Sequence, residues 1–104
     1  MDNNKFELVL CIVNAGYSQN VMEAASGAGA KGGTIIRARG SANPAAEEFF
    51  NIKIHPEKEI VMILVQKEIK DDIIRAIYKD AGLDGDAQGI AFSVPASRTT
   101  TLKE

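Results

Sequence analysis

From Phe6 to Asn14 the chain is apolar at almost every position. Leu8, Leu10 and Ile12 fall on one side of an extended segment, and Val9, Cys11 and Val13 on the other. That pattern predicts a strand covered on both faces. Asn14–Ser18 reads as a turn, with Ser18 as the N-cap of the next element. Over Gln19–Ala28 the residues Val21, Met22, Ala24, Ala25 and Ala28 line one side of a helix, which Gly27 and Gly29 end. Thr34–Arg39 is a second, β-branched strand.

Gly40–Asn51 is too long for a tight hairpin. Asn43 and Pro44 suit the start of a short helix there. Phe49 and Phe50 are expected to dock on the domain or on a partner. A third strand is expected over Ile52–Gln66, with Pro56 marking an edge, a bulge or a break. Its run Ile60–Val65 is apolar throughout, as in a central strand. Lys67–Ala81 follows as a helix with the stripe Ile69, Ile73, Ala76 and Ile77, capped by Gly82. Leu83–Gly89 is rich in turn residues. Ile90–Val94 alternates as a half-buried strand limited by Pro95, and the polar Ala96–Glu104 is either a short extra strand or a loose tail.

The order is βαββαβ. It predicts an α+β, ferredoxin-like domain over residues 1–104: a four-stranded antiparallel sheet with both helices on one face. In that topology the first and third strands are central. Both are apolar on two sides, yet the helices cover only one, so self-association over the open sheet face is the simplest expectation.

Composition narrows the function. With 45% hydrophobic and 25% charged residues and a net charge of −2, the chain resembles an ordinary globular domain and lacks the basic excess of a general nucleic-acid binder. Small anionic ligands need only a few local cations. The single cysteine, Cys11, excludes a disulfide within one chain, and with His55 as the only histidine no zinc-type cluster is visible. The first residues show no signal-peptide pattern, and no apolar run approaches the ~20 residues of a membrane span. A cytoplasmic protein without membrane insertion is expected.

Candidate chemistry is sparse. Asp84 and Asp86, like Glu47 and Glu48, form no recognisable ligand or acid–base pattern. Ser93 and Ser97 lack a nucleophile elbow, and His55 reads as a strand-edge residue. The chain is therefore expected not to be an enzyme. Two glycine-containing loops remain, Gly29–Thr34 and Gly82–Gly89, both leading from a helix to a strand and expected at one end of the sheet. Their amides, helped by Lys31, Arg37, Arg39 or Arg98, could hold an anion.

Three segments give the chain a resemblance to the P-II nitrogen regulatory proteins. They are Ala28–Gly40 (Ala-Gly-Ala-Lys-Gly-Gly-Thr-Ile-Ile-Arg-Ala-Arg-Gly), Glu57–Val65, and Ala81–Val94 with its Leu83-Asp-Gly-Asp-Ala-Gln-Gly89 turn. The resemblance implies a homotrimer whose sheets line its interior and which senses ATP, ADP and 2-oxoglutarate between subunits. It also implies docking on a target protein through a long "T-loop", here Ser41–Asn51. That segment is shorter than the family's usual loop and lacks tyrosine. The family's Gly-Asp-Gly-Lys "B-loop" becomes Gly85-Asp86-Ala87-Gln88, without the lysine.

The resulting expectation is a P-II-like trimeric regulator, in nitrogen metabolism, of an unidentified target protein. It binds a small anionic metabolite, with ATP, ADP and AMP as candidates, and no certain cofactor. Gly32, Gly33 and Thr34 of one chain would meet Gly85, Asp86, Gln88 and Gly89 of the next, with Arg37, Arg39 or Arg98 on phosphate and Phe49 and Phe50 docking the target. Alternatives are a CutA-like metal-binding trimer and a small enzyme using the intersubunit cleft.

Overall fold

In the computed structural model, residues 2–41 and 56–100 are described. Strand β1 spans Asp2–Asn14, helix α1 Ser18–Gly27, β2 Thr34–Arg39 and β3 Glu57–Gln66. A single 3₁₀ turn over Lys67–Ile69 leads into α2, Lys70–Asp80, and β4 runs over Ile90–Arg98. The sheet order is β2-β3-β1-β4 with every pairing antiparallel, so the two doubly apolar strands are indeed the central ones.

Alternation decides what is buried. Val9, Cys11 and Val13 of β1 and Val61, Ile63 and Val65 of β3 face the helices and are fully or almost fully buried. Val21, Ala24 and Ala25 of α1 and Ile73 and Ile77 of α2 close over them as one core. Each large aliphatic side chain in it contributes about 1.5–3 kcal/mol by leaving water. On the opposite face Leu8, Leu10, Ile12, Ile60 and Met62 are only half-buried, and Leu64, Phe92, Val94 and Ile90 are exposed. That face is the apolar surface the sequence pattern implied.

Several expectations change in detail. β1 begins at Asp2, ahead of Phe6, with its pairing to β4 shifting between Asp2 and Phe6. Pro56 stands immediately before β3, not within it; the expected Ile52–His55 part of that strand lies outside the described residues, as do Asn43, Pro44, Glu47, Glu48, Phe49 and Phe50. β4 continues through Pro95 to Arg98 instead of stopping at Val94. Proline is tolerated because β4 is an edge strand, where a missing N–H costs no sheet bond if it points outward.

Ser18 is not the N-cap. It is the first helical residue, and no side chain caps the helix from Tyr17. Glu59 of β3 does that work from across the sheet: its Oε1 accepts the Gly16 N–H at 2.9 Å and the Ser18 N–H at 3.3 Å. Both predicted helix stops hold. Gly29 adopts φ +113° after α1, and Gly82 φ +66° after α2, where the Leu83 N–H bonds back to the Tyr78 carbonyl.

Candidate functional site

The two glycine loops do not lie at one end of the sheet. The exit of α1 sits where β3 ends, Gly29, Ala30 and Lys31 sharing a small cavity with Gln66 and Phe6. The exit of α2 sits where β1 ends, the Asn14 N–H bonding the Ala87 carbonyl at 2.9 Å. The antiparallel path dictates this, because α1 and α2 run in opposite directions between their strands. The strands they lead into are opposite edges of the sheet, three strand spacings or about 14 Å apart.

Gly32, Gly33 and Thr34 are exposed at the start of the β2 edge. Gly33 has a packing reason to be glycine: a Cβ there would lie 2.9 Å from the Met62 carbonyl oxygen and 3.0 Å from Ile63. Gly32 has none. A Cβ would meet nothing within 4 Å and φ is not left-handed, so its backbone is open to close approach from outside. Gly89, by contrast, is wedged against Leu83, Val13 and the Ile12 carbonyl.

Arg37 and Arg39 point their charges at β3. Arg39 bonds Glu57 at 2.8 Å directly across the strand pair. Arg37 stands opposite Glu59 and is one of the influences on its carboxyl. The Gly16 amide, more than anything else, holds the Glu59 pKa below its ordinary value, and the Ser18 bonds and Arg37 add to it while partial burial opposes. Arg98 is at the far end of β4, about 27 Å along the strand from Ile90. There it lines a groove of ≈ 480 Å³ with Leu8, Leu64 and Val94.

In the Leu83–Gly89 turn the amides are mostly spent internally. The Gly85, Gln88 and Gly89 N–H groups donate to the carbonyls of Gly82, Gly85 and Leu83. Gln88 takes φ +47°, the only left-handed non-glycine residue among those described. It is pinned by Asn14, whose Nδ2 donates to the Gln88 Oε1 at 3.3 Å and to the Asp86 carbonyl at 3.0 Å, and whose Oδ1 accepts from Lys58 Nζ at 2.6 Å. Asn14 is 4% exposed. Beside it opens a cleft of ≈ 390 Å³ lined by Ala15, Tyr17, Pro56, Glu57, Asp86 and Gln88 as well as Asn14 itself.

Sequence reasoning placed Asp86 and Gln88 in a site but missed Asn14, Tyr17, Glu57 and Lys58. The available signal was an asparagine closing an apolar strand and a Glu-Lys-Glu triplet opening another. What joins them is the antiparallel register that sets Asn14 opposite Lys58. The nominated residues among those described fall in three places: the β2 edge, the Asn14 corner and the end of β4. Cys11 is buried in the core, which raises its thiol pKa to about 11 and makes it unreactive. Among the described residues no three His, Cys, Asp or Glu side chains converge as a metal site, and no helix is long and apolar enough to cross a membrane.

The family model for nitrogen regulatory protein P-II matches residues 6–104. Among solved structures, that of PII from Arabidopsis thaliana bound to citrate is 25% identical, with a TM-score of 0.66 over 91% of this chain and 78% of that one. A PII-like signalling protein from Thermus thermophilus is 21% identical, with a TM-score of 0.68 over 92% of this chain and 90% of that one, a likeness of fold. No curated protein matches the sequence.

Proposed function

Because the chain belongs to the nitrogen regulatory protein P-II family, we propose that it is a cytoplasmic, homotrimeric signalling protein, a regulator and not an enzyme. It binds a small metabolite between subunits and reports its presence to a target protein. The observation that carries the proposal is the open sheet face. Leu64, Phe92 and Val94, each 38–39% exposed, lie beside the half-buried Leu8, Leu10 and Met62 of the central strands. A continuous apolar face of this kind belongs against other copies.

Ring closure supplies the rest. In a closed heterologous ring each chain offers one patch to one neighbour and a different patch to the other. The β2 and β4 edges are two such patches. Their meeting would set Gly32 and Thr34 at the start of β2 of one chain beside Arg98 at the end of β4 of the next, which no single chain achieves. Gly32, free of any packing constraint, is where a ligand's approach explains the glycine. An anion between subunits would draw on Arg98, on Arg37 or on Arg39 released from Glu57, with adenine nucleotides as the first candidates. The Ser41–Asn51 segment, with Phe49 and Phe50, is the proposed contact for the target, in nitrogen metabolism. A ligand acts as a signal there by binding two states of the protein unequally.

Light scattering with thermal-shift titration of ATP, ADP and AMP tests this. A trimer stabilised by one of them, with the shift abolished in Gly32→Leu and the trimer kept, supports the reading. A monomer indifferent to all three removes it.

A further inference from the structure

Edge strands present unpaired main-chain groups, and natural sheets protect them with charge, proline or a cover. The β2 edge carries Arg37 and Arg39, and the far half of β4 carries Pro95 and Arg98. The first three residues of β4, Ile90, Ala91 and Phe92, have no such protection. Their sheet partner is β1, and among the described residues no other backbone bond reaches them. Ile90 is 59% exposed. In the ring proposed above, the six-residue β2 that starts beside Arg98 ends opposite Ser93, so Ile90–Phe92 stay uncovered there as well.

A groove of ≈ 800 Å³ opens beside this stretch, between β4 and α2. Ile74, Tyr78, Leu83 and Ala91 make it apolar, and Arg75 and Lys79 bring two cations from α2. Asp84 also lines it, accepting from the Tyr78 hydroxyl at 3.4 Å. Lys79 has no partner among the described residues. Arg75 holds Asp72 at 3.1 Å, but both side chains are exposed, and such a pair exchanges readily.

A strand added along Ile90–Phe92 turns every second side chain toward the helices, over this groove. Arg75 and Lys79 are one helical turn, about 6 Å, apart along α2. Same-side residues of a strand are about 6.8 Å apart, a similar step. The apolar floor and its cations therefore complement an extended segment with one apolar side chain and a carboxylate two residues from it. Main-chain pairing at a sheet edge supplies affinity in such a contact, and the neighbouring pocket supplies selectivity.

We propose that this part of the β4 edge receives an acidic and apolar segment of another protein as a fifth strand. Its backbone pairs with Ile90–Phe92, its apolar side chain enters the groove and its carboxylate meets Lys79. The surface is separate from the intersubunit cleft and from Ser41–Asn51.

Fluorescence anisotropy on the full chain tests this with three labelled peptides. One is Thr-Thr-Phe-Thr-Glu-Thr-Thr, the second has lysine in place of glutamate, and the third has proline in place of the threonines flanking phenylalanine. The glutamate peptide should bind, the lysine form about three-fold weaker or worse, and the proline form not at all. Lys79→Glu should invert the preference between the first two, and Tyr78→Ala should weaken both. Both side chains are exposed, so both variants should melt and sediment as the wild type does. Equal binding of the proline form would assign the groove to small amphipathic molecules. Binding to single chains that is lost on assembly would assign it to a second copy. Either result overturns the proposal, as does an unchanged preference in Lys79→Glu or the absence of any peptide binding. A nucleotide-responsive trimer that ignores all three peptides would overturn this surface and leave the intersubunit reading intact.

Discussion

Replacing Asn14 by leucine removes three hydrogen bonds and strands two of their partners, Lys58 Nζ and the Asp86 carbonyl, in a partly buried corner. Leaving buried polar groups unsatisfied costs more than the bonds themselves contribute. Urea denaturation of Asn14→Leu should show a loss of about 2–3 kcal/mol, most of it at the turn that carries Gln88. The two neighbouring glycines of the β2 edge should behave oppositely. Gly33→Ala pushes a methyl into the Met62 carbonyl and should cost about 1–3 kcal/mol, whereas Gly32→Ala should leave the midpoint nearly unchanged. Equal losses at both positions would mean that Gly32 too is a packing residue, with no ligand behind it. Both glycines were visible in the sequence as a pair. Their difference was not, because it depends on how closely β3 passes behind each.

At the level of the elements, the strands and helices were legible because two periodicities, 2 and 3.6, were written in the apolar residues. The stripe Ile73 and Ile77 and the alternation Val9, Cys11, Val13 each face the core as read. The misses came where an element's end is settled by something distant in sequence. Ser18 looked like a cap because its type is right for one, yet Glu59 supplies the acceptor from a strand more than forty residues away. Pro95 looked like a terminator because the pattern could not say that β4 lies on an edge. Glu59 also ties α1 to pH. Its folded pKa lies below the ordinary carboxylate value, so its contribution is complete above the unfolded pKa and is lost as pH falls through the folded one. Glu59→Gln should therefore lower the melting temperature slightly at pH 7, by an amount that shrinks below about pH 4 as the wild-type carboxyl protonates. A difference that grew on acidification would contradict the cap.

For the whole molecule, the sequence foretold the architecture and the uncovered sheet face, since both follow from strand order and parity. It did not foretell where the loops stand relative to one another. Two helices of opposite direction send their exits to opposite ends, and the strands they lead into are opposite edges of the sheet. In the proposed reading the ligand cleft therefore exists only between chains. The open sheet face is what makes assembly obligatory in this account, and an uncompensated charge in its centre should undo it. Phe92→Glu leaves the helix-side core untouched and should yield folded but dissociated chains.

Sedimentation equilibrium on the wild-type chain across a hundred-fold concentration range tests the central claim most directly. The account predicts a single species of three times the 11.2 kDa chain mass, collapsing to one chain in Phe92→Glu. A wild-type protein that sediments as a monodisperse 11.2 kDa particle throughout would contradict it.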